Sequence, residues 1–380
     1  MIIDCYPSSF APWDTACGYE SLAQKMRIIQ RELGGHHQPT MRVRDRKLVD
    51  NTSLADPDTG ELMGAEWTRH NGQIAWTYEG ETYKKQYFPP MLNNLECPPE
   101  LMMSEMDYAG VDAGILHTHP HKGYYRFQNE FQRNVLSRFP DRFMRTIMVN
   151  AHAIPRDPEG AAQEVQTEVN AGGRTAVQFI PRYYYHPALE TDGGNDAPWD
   201  DGAMRPFWQA VAAMGVPVFF TIIGRGSSQA DRYGQSAHEV YLEEQRILLR
   251  WMERYPDVTV VITHGLPWRS YLDGDRIVFP DEVWQVFEAP QCHLELMMPI
   301  QMGGIWEYPW KQAEPTIQEC VQRIGANRLM WGSDWPMVGR FCTYRQNVDQ
   351  YRAHCGFLSD AERQDILGGT AARIMGWAGS

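Results

Sequence analysis

An acid and a histidine stand where two apolar strands should end. Leu329-Met330-Trp331 is a short apolar run closed by Gly332-Ser333, and Asp334 follows it directly. Upstream, Val258 to Thr263 is a continuous apolar and β-branched run, the pattern of a strand buried on both faces, and His264-Gly265 closes it. At the carboxyl ends of barrel strands the backbone opens into loops, and a polar side chain there can reach a metal, a substrate or solvent. His264 and Asp334 are therefore candidate catalytic groups; the plain reading of Gly-Ser-Asp-Trp-Pro is a capped turn. The densest histidine cluster, His117-Thr118-His119-Pro120-His121, follows a third such run, Val111 to Leu116. If the chain stays extended, period-two alternation puts His117, His119 and His121 on one face, close enough to share a divalent metal such as zinc. The alternative is a polar loop with its imidazoles bonded to backbone. Glu295 interrupts the apolar run Leu294 to Leu296. It is either a further ligand or acid/base group at the mouth or one half of a buried ion pair. Arg182, Tyr183 and Tyr184 follow the run Thr175 to Ile180 and suit a small carboxylate held against an aromatic wall. Aromatic runs also serve simply as packing.

These positions need a scaffold that brings strand ends together. From Pro98 onward the chain alternates helical and strand periods. Pro99 to Ala109 is a helix stopped by Gly110, Phe127 to Phe139, Asp157 to Ala171, Arg205 to Met214, Glu239 to Tyr255 and Pro315 to Ile324 are further helices, and apolar strand runs lie between them. Serial βα units with apolar strands imply a parallel sheet, and their number implies closure into a (β/α)8 TIM barrel. Met1 to Tyr6 supplies the first strand. Asp360 to Met375 reads as one closing amphipathic helix. The stretch 36–90 breaks the alternation with short β-rich pieces, Gln73 to Tyr78 and Thr82 to Phe88 joined at Glu79-Gly80-Glu81, and is expected to be an inserted β-hairpin lobe. His36-His37 reads as a loop.

Composition narrows the function classes. A net charge of −13 repels phosphate backbones and argues against nucleic acid as partner. No apolar run reaches the roughly 20 residues that span a bilayer, so no membrane partner is expected. Seven cysteines without a CxxC spacing suit reduced thiols, and the amino-terminal residues lack a signal-peptide pattern, so a cytoplasmic location is expected. GxGxxG, a Walker loop and GxSxG are all missing, which leaves dinucleotide, nucleotide and serine-hydrolase chemistry without support.

Taken in order, Pro99-Glu-Leu-Met-Met-Ser-Glu-Met-Asp-Tyr-Ala-Gly-Val-Asp112, Phe139-Pro-Asp-Arg-Phe143, Ala176-Val-Gln-Phe179, Gly215-Val-Pro-Val218, Thr263-His-Gly265 and Gly332-Ser-Asp-Trp-Pro336 resemble the amidohydrolase-related family. That branch includes aminocarboxymuconate-semialdehyde and resorcylate-type decarboxylases. The resemblance implies a distorted (β/α)8 barrel, a divalent metal, His264 as the acid/base histidine and Asp334 as the last metal ligand. It departs from the family at the first strand, where DxHxH or DxDxH is usual and this chain reads Asp4-Cys5-Tyr6-Pro7-Ser8, and at the fifth, where Thr221 replaces a histidine. The expectation is then a degraded metal site in the supporting subunit of a hetero-oligomeric, hydroxylase-like metal enzyme, paired with a paralogous amidohydrolase-like chain. Two alternatives stand beside it: a stand-alone or self-associating decarboxylase or hydrolase with its metal moved to His117, His119, His121 and Glu295, and a metal-free binder of a small carboxylate through Arg182, Tyr183, Tyr184 and Thr221.

Overall fold

The computed structural model describes residues 1–34, 39–49, 66–68, 72–92, 94–185, 195–222 and 237–378. Fifteen strands occur among them. In chain order these are β1 (Ile3–Asp4), β2 (Thr40–Arg42), β3 (Leu48–Val49), β4 (Glu66–Thr68), β5 (Gln73–Tyr78), β6 (Glu81–Gln86), β7 (Ala113–Leu116), β8 (Phe143–Met148), β9 (Thr175–Phe179), β10 (Val218–Phe220), β11 (Val260–Ile262), β12 (Leu272–Asp273), β13 (Arg276–Ile277), β14 (Cys292–Leu296) and β15 (Leu329–Trp331).

Eight of these, in the order β1-β7-β8-β9-β10-β11-β14-β15, form one all-parallel sheet. A backbone bond from Cys5 N to Trp331 O, 3.0 Å, brings the first strand to the last and nearly closes the barrel. Each strand is short and buried on both faces, as the apolar runs require. Alternation sends Ile3, Ala113, Ile115, Met144, Ala176, Phe219, Val261 and Met330 into one small core inside the barrel, while Val177, Phe179, Phe220, Ile262, Leu294 and Trp331 join the larger layer shared with the helices. Ala371, Ala372, Met375 and Trp377 pack onto the inner core and seal its amino-terminal end.

The same alternation aims Thr146, Gln178, Thr221, Thr263 and Glu295 inward, above the inner core. Helices begin and stop where the sequence signals. Pro99–Ala109 opens on proline and ends at Gly110 with φ 74°, and Pro158–Asn170 is capped by the Asp157 carboxylate on Gly160 N. The closing segment is not one helix. It runs as Asp360–Gln364, Asp365–Gly369 and Thr370–Met375, because Gly368 lies against Met1 O and Ile3 N, at 2.8 and 3.0 Å from where a Cβ would stand.

The inserted lobe is a five-stranded antiparallel sheet ordered β3-β2-β6-β5-β4. β5 and β6 pair through Tyr78↔Glu81 across a two-residue turn in which Glu79 and Gly80 both have positive φ, the geometry that suits a hairpin's twist. The expected His36-His37 loop lies outside the described residues.

Candidate active site

Tyr6, just past β1, is the floor on which the mouth is built. It is fully buried, its ring stacks on His117 at 4.0 Å, and it meets His264 edge-on at 4.4 Å. Its hydroxyl is 2.8 Å from His119 Nε2. Burial holds the phenol well above its ordinary range, the charges of Asp334 and Glu295 add to this, and hydrogen bonding from Thr221 and Gln178 only partly opposes it. Tyr6 is a neutral phenol here.

The three clustered histidines gather around that ring without forming one ligand face. The chain is extended as far as His119, at φ −141° and ψ 154°, and then turns into a 3-10 helix, Pro120–Lys122. Alternation therefore ends before His121, which corrects the expectation of three imidazoles on one face. His117 lies inside the barrel beneath Tyr6. His119 stacks on His121 at 5.0 Å, and His121 turns toward the Tyr87 and Tyr183 hydroxyls at 3.4 and 3.5 Å. Burial, with neighbouring positive charge, lowers all three well below the usual histidine range, so they are neutral.

Glu295 points inward as alternation requires. Its Oε2 accepts from His264 N at 3.3 Å, and its Oε1 has no hydrogen-bond partner and stands 3.9 Å from His117 Nε2. Neither ring nitrogen of His117 makes a full hydrogen bond, the Cys5 backbone lying nearby. Burial drives the Glu295 carboxyl well above its ordinary range against the His264 N–H bond, with the charges of Asp4 and Asp334 in support. A neutral acid beside a neutral imidazole is the consistent state, so this is no buried ion pair.

His264 and Asp334 flank the opening. Both have left-handed backbone, φ 63° and 54°, a costly conformation for residues with a side chain and one concentrated at working sites. Gly265 follows at φ 69°, and a Cβ there would lie 3.0 Å from Trp268 Nε1 and 3.1 Å from Glu295 O. The His264 carbonyl is held by Gln301 Nε2 at 2.6 Å. Asp334 is pushed up to about 6, by burial first and against the pull of Lys122 and Arg340.

Thr221 shares a 2.7 Å hydrogen bond with Thr263 on the inner wall. Tyr183 reaches the mouth through His121, and the Arg182 charge bears on the same ring. Tyr184 does not belong to the mouth: its ring packs on Phe179 and Tyr185 in the layer outside the strands. The aromatic run divides between site and core because Pro181–Tyr185 is a short helix, which points successive side chains apart.

Lys122 was not a sequence candidate. It is 1% exposed, and its ammonium donates to Ser8 Oγ at 2.6 Å over the Phe10 ring. Burial lowers its amine to about 8. Its only signal in the sequence is adjacency to His121.

The donor chemistry can be tested against a metal. At the usual place the chain offers Asp334 with one phenol, one threonine hydroxyl already bonded to Thr263, and a serine hydroxyl that receives an ammonium. Among the described residues no three His, Cys, Asp or Glu side chains stand where they would grip one ion. Among the described residues, His117 and Glu295 bring polar atoms without hydrogen-bond partners to within 3.9 Å of each other. A divalent ion wants about four good donors, and these residues as placed do not fit one.

Comparison with known proteins is in keeping with the barrel. An L-fucono-1,5-lactonase of Burkholderia ambifaria is 28% identical over 141 residues, 33% of this chain and 44% of that protein, so less than half of the relative is spanned. A dihydroxybenzoic acid decarboxylase of Polaromonas sp. JS666, solved with bound manganese and 2-nitroresorcinol, matches with a TM-score of 0.53 and 19% identity over 75% of this chain and 88% of that one. An uncharacterised TIM-barrel protein of Bordetella bronchiseptica matches with a TM-score of 0.55 and 18% identity over 99% and 98%. These two likenesses show the fold. Residues 89–377 match the amidohydrolase family, three-quarters of the chain running from the end of the lobe to the closing helix, and the chain therefore belongs to that family.

Proposed function

We propose that this chain is a stand-alone enzyme of the decarboxylase or hydrolase type, acting on a small carboxylate-bearing molecule, with His264 carrying the proton. The observation that carries this is the mounting of His264. Its strained backbone is held by Gly265, Gln301 and the Glu295 carboxyl, and its ring stands edge-on to Tyr6. A side chain kept in a costly conformation from several sides is positioned for use. The relatives support the same class, since one is named a decarboxylase and one a lactonase. They favour it over a supporting subunit of a hydroxylase.

In a decarboxylation at this site the bond to the carboxylate breaks and its electron pair stays on carbon. The proton from His264 is delivered to that carbon, and carbon dioxide leaves. In a lactone hydrolysis the same imidazole takes a proton from the water that attacks the carbonyl carbon, the acyl C–O bond of the ring breaks, and the proton passes to the departing ring oxygen, leaving an open hydroxy acid. Tyr6 and Thr221 line the inner wall and Arg182 and Tyr183 the outer, where a carboxylate can be oriented.

The test is turnover by the purified chain alone on dihydroxybenzoates, followed by carbon dioxide release, and on sugar lactones, followed by acid production. Turnover that is lost in His264→Asn without loss of fold is expected. Turnover that needs a second, related chain would return the protein to the supporting role. Elemental analysis of the same sample reads the zinc reading directly: one equivalent of zinc or manganese whose removal abolishes turnover would require His117, His119, His121 and Glu295 to regroup around it.

A further inference from the structure

The resemblance implies a divalent metal at the mouth of the barrel, and the residues here do not fit one. The mouth nevertheless holds a cation. Lys122 is buried, Ser8 Oγ is the one hydrogen-bond partner of its ammonium among the described residues, and no described carboxylate stands within ion-pair distance of it. Ser8 occupies the position where the family's first-strand motif places its second histidine. The ammonium therefore leans on a ligand position of the usual ion. Its charge bears on His117, His119, His121 and Asp334 alike, which places it centrally among the mouth residues.

The ammonium's one direct partner is a neutral hydroxyl, and the opposite charge that bears on it, Asp334, stands beyond ion-pair distance, so the charge is only partly compensated where it is buried. An anion completes the arrangement. Arg340 backs the same region: its guanidinium donates to Tyr87 O at 2.6 Å, its Nε has no hydrogen-bond partner, and its charge also bears on Asp334. Two cations share the mouth, and the carboxylate beside them, Asp334, is raised in pKa by burial.

We propose that the Lys122 ammonium stands in for the metal ion, as the fixed positive centre that holds the carboxylate of a small acidic substrate against Ser8. This deepens the reading given under Proposed function and rests on it for the substrate class. It differs from that reading in naming which group, and not which reaction, supplies the positive charge.

The experiment uses the full chain after dialysis against a chelator, with 2,6-dihydroxybenzoate as the probe and calorimetric titration as the readout. Wild type is expected to bind it, Lys122→Met to bind about 10- to 100-fold more weakly, and Lys122→Arg, which keeps the charge, to fall between them. Melting temperatures in buffer check folding, and Lys122→Met should melt no lower than wild type because a buried charge has been removed. Equal affinity in Lys122→Met, no affinity in metal-free wild type, or a tightly held equivalent of manganese or zinc with Lys122 intact would each overturn the proposal. Turnover measured on the same samples separates the two readings. Wild-type turnover that persists in Lys122→Met leaves the enzyme standing and removes Lys122 from it; Lys122-dependent binding without turnover does the reverse.

Discussion

Replacing Asp4 by alanine opens the seam of the barrel. Its fully buried carboxylate accepts from Ser333 N at 2.9 Å, Ser333 Oγ at 2.5 Å, Tyr344 OH at 2.8 Å and Tyr6 N at 3.1 Å, so it ties β1 to the loop after β15 across more than three hundred residues of sequence. At about 1 to 1.5 kcal/mol net for each bond, the set is worth roughly 4 to 6 kcal/mol. Part of that is offset by the cost of a buried charge, which shows as a carboxyl raised by desolvation above 3.8. A net loss of about 3 to 4 kcal/mol is expected for Asp4→Ala, read as a lower midpoint in urea at unchanged slope. Tyr344→Phe, which removes one of the four bonds, should lose about 1 kcal/mol. The sign with pH follows from the raised value. The folded state binds the proton more tightly than the unfolded, so the advantage of wild type over Asp4→Asn is fully present below 3.8 and shrinks as pH rises through the folded value. An Asp4→Ala loss of under 1 kcal/mol would refute the reasoning, because it would mean that the seam is held by backbone pairing alone.

The remaining expectations can be checked by turnover, melting and denaturation. His264→Asn should lower turnover by at least about 100-fold at unchanged melting temperature, and retained turnover would reduce the residue to scaffold. Glu295→Gln should be as stable as wild type or more so at neutral pH, because the wild-type carboxyl is held neutral. Its folded pKa is raised, so wild type loses stability as pH rises toward that value and the difference in favour of glutamine grows; melting curves from pH 6 to 9 read it, and a loss of over about 1 kcal/mol would oppose it. Gly265→Ala should cost about 2 kcal/mol or more in chemical denaturation and lower turnover with it, since the added methyl meets Glu295 O and Trp268 in a left-handed backbone.

Local pattern carried most of the fold. The β-branched and apolar runs before His264 and Asp334 are strands because both faces are buried, and Gly110 and the Glu79-Gly80 turn stand where their backbone angles require. Asp360 to Met375 reads as one helix and is broken at Gly368 by the amino-terminal strand, a contact that no local period encodes. At the site, residue types were legible and directions were not. The extended path of the histidines ends at Pro120, and Tyr184 turns into the core while Tyr183 turns to the mouth. Lys122 is not legible in the sequence because a lysine in a polar loop ordinarily reaches solvent; only closure of the barrel lays it on Ser8, 114 residues earlier in the chain.

Among the described residues, the packing of Ala371, Ala372, Met375 and Trp377 against the inner core closes the amino-terminal end of the barrel. If the chain turns a substrate over at the mouth, as proposed, a ligand does not depart through that closed end, so whatever is released must leave before the next molecule arrives. In a steady-state assay this makes the released compound compete with the incoming one for the same vacant protein, and its accumulation should raise the apparent KM while leaving the maximal rate alone.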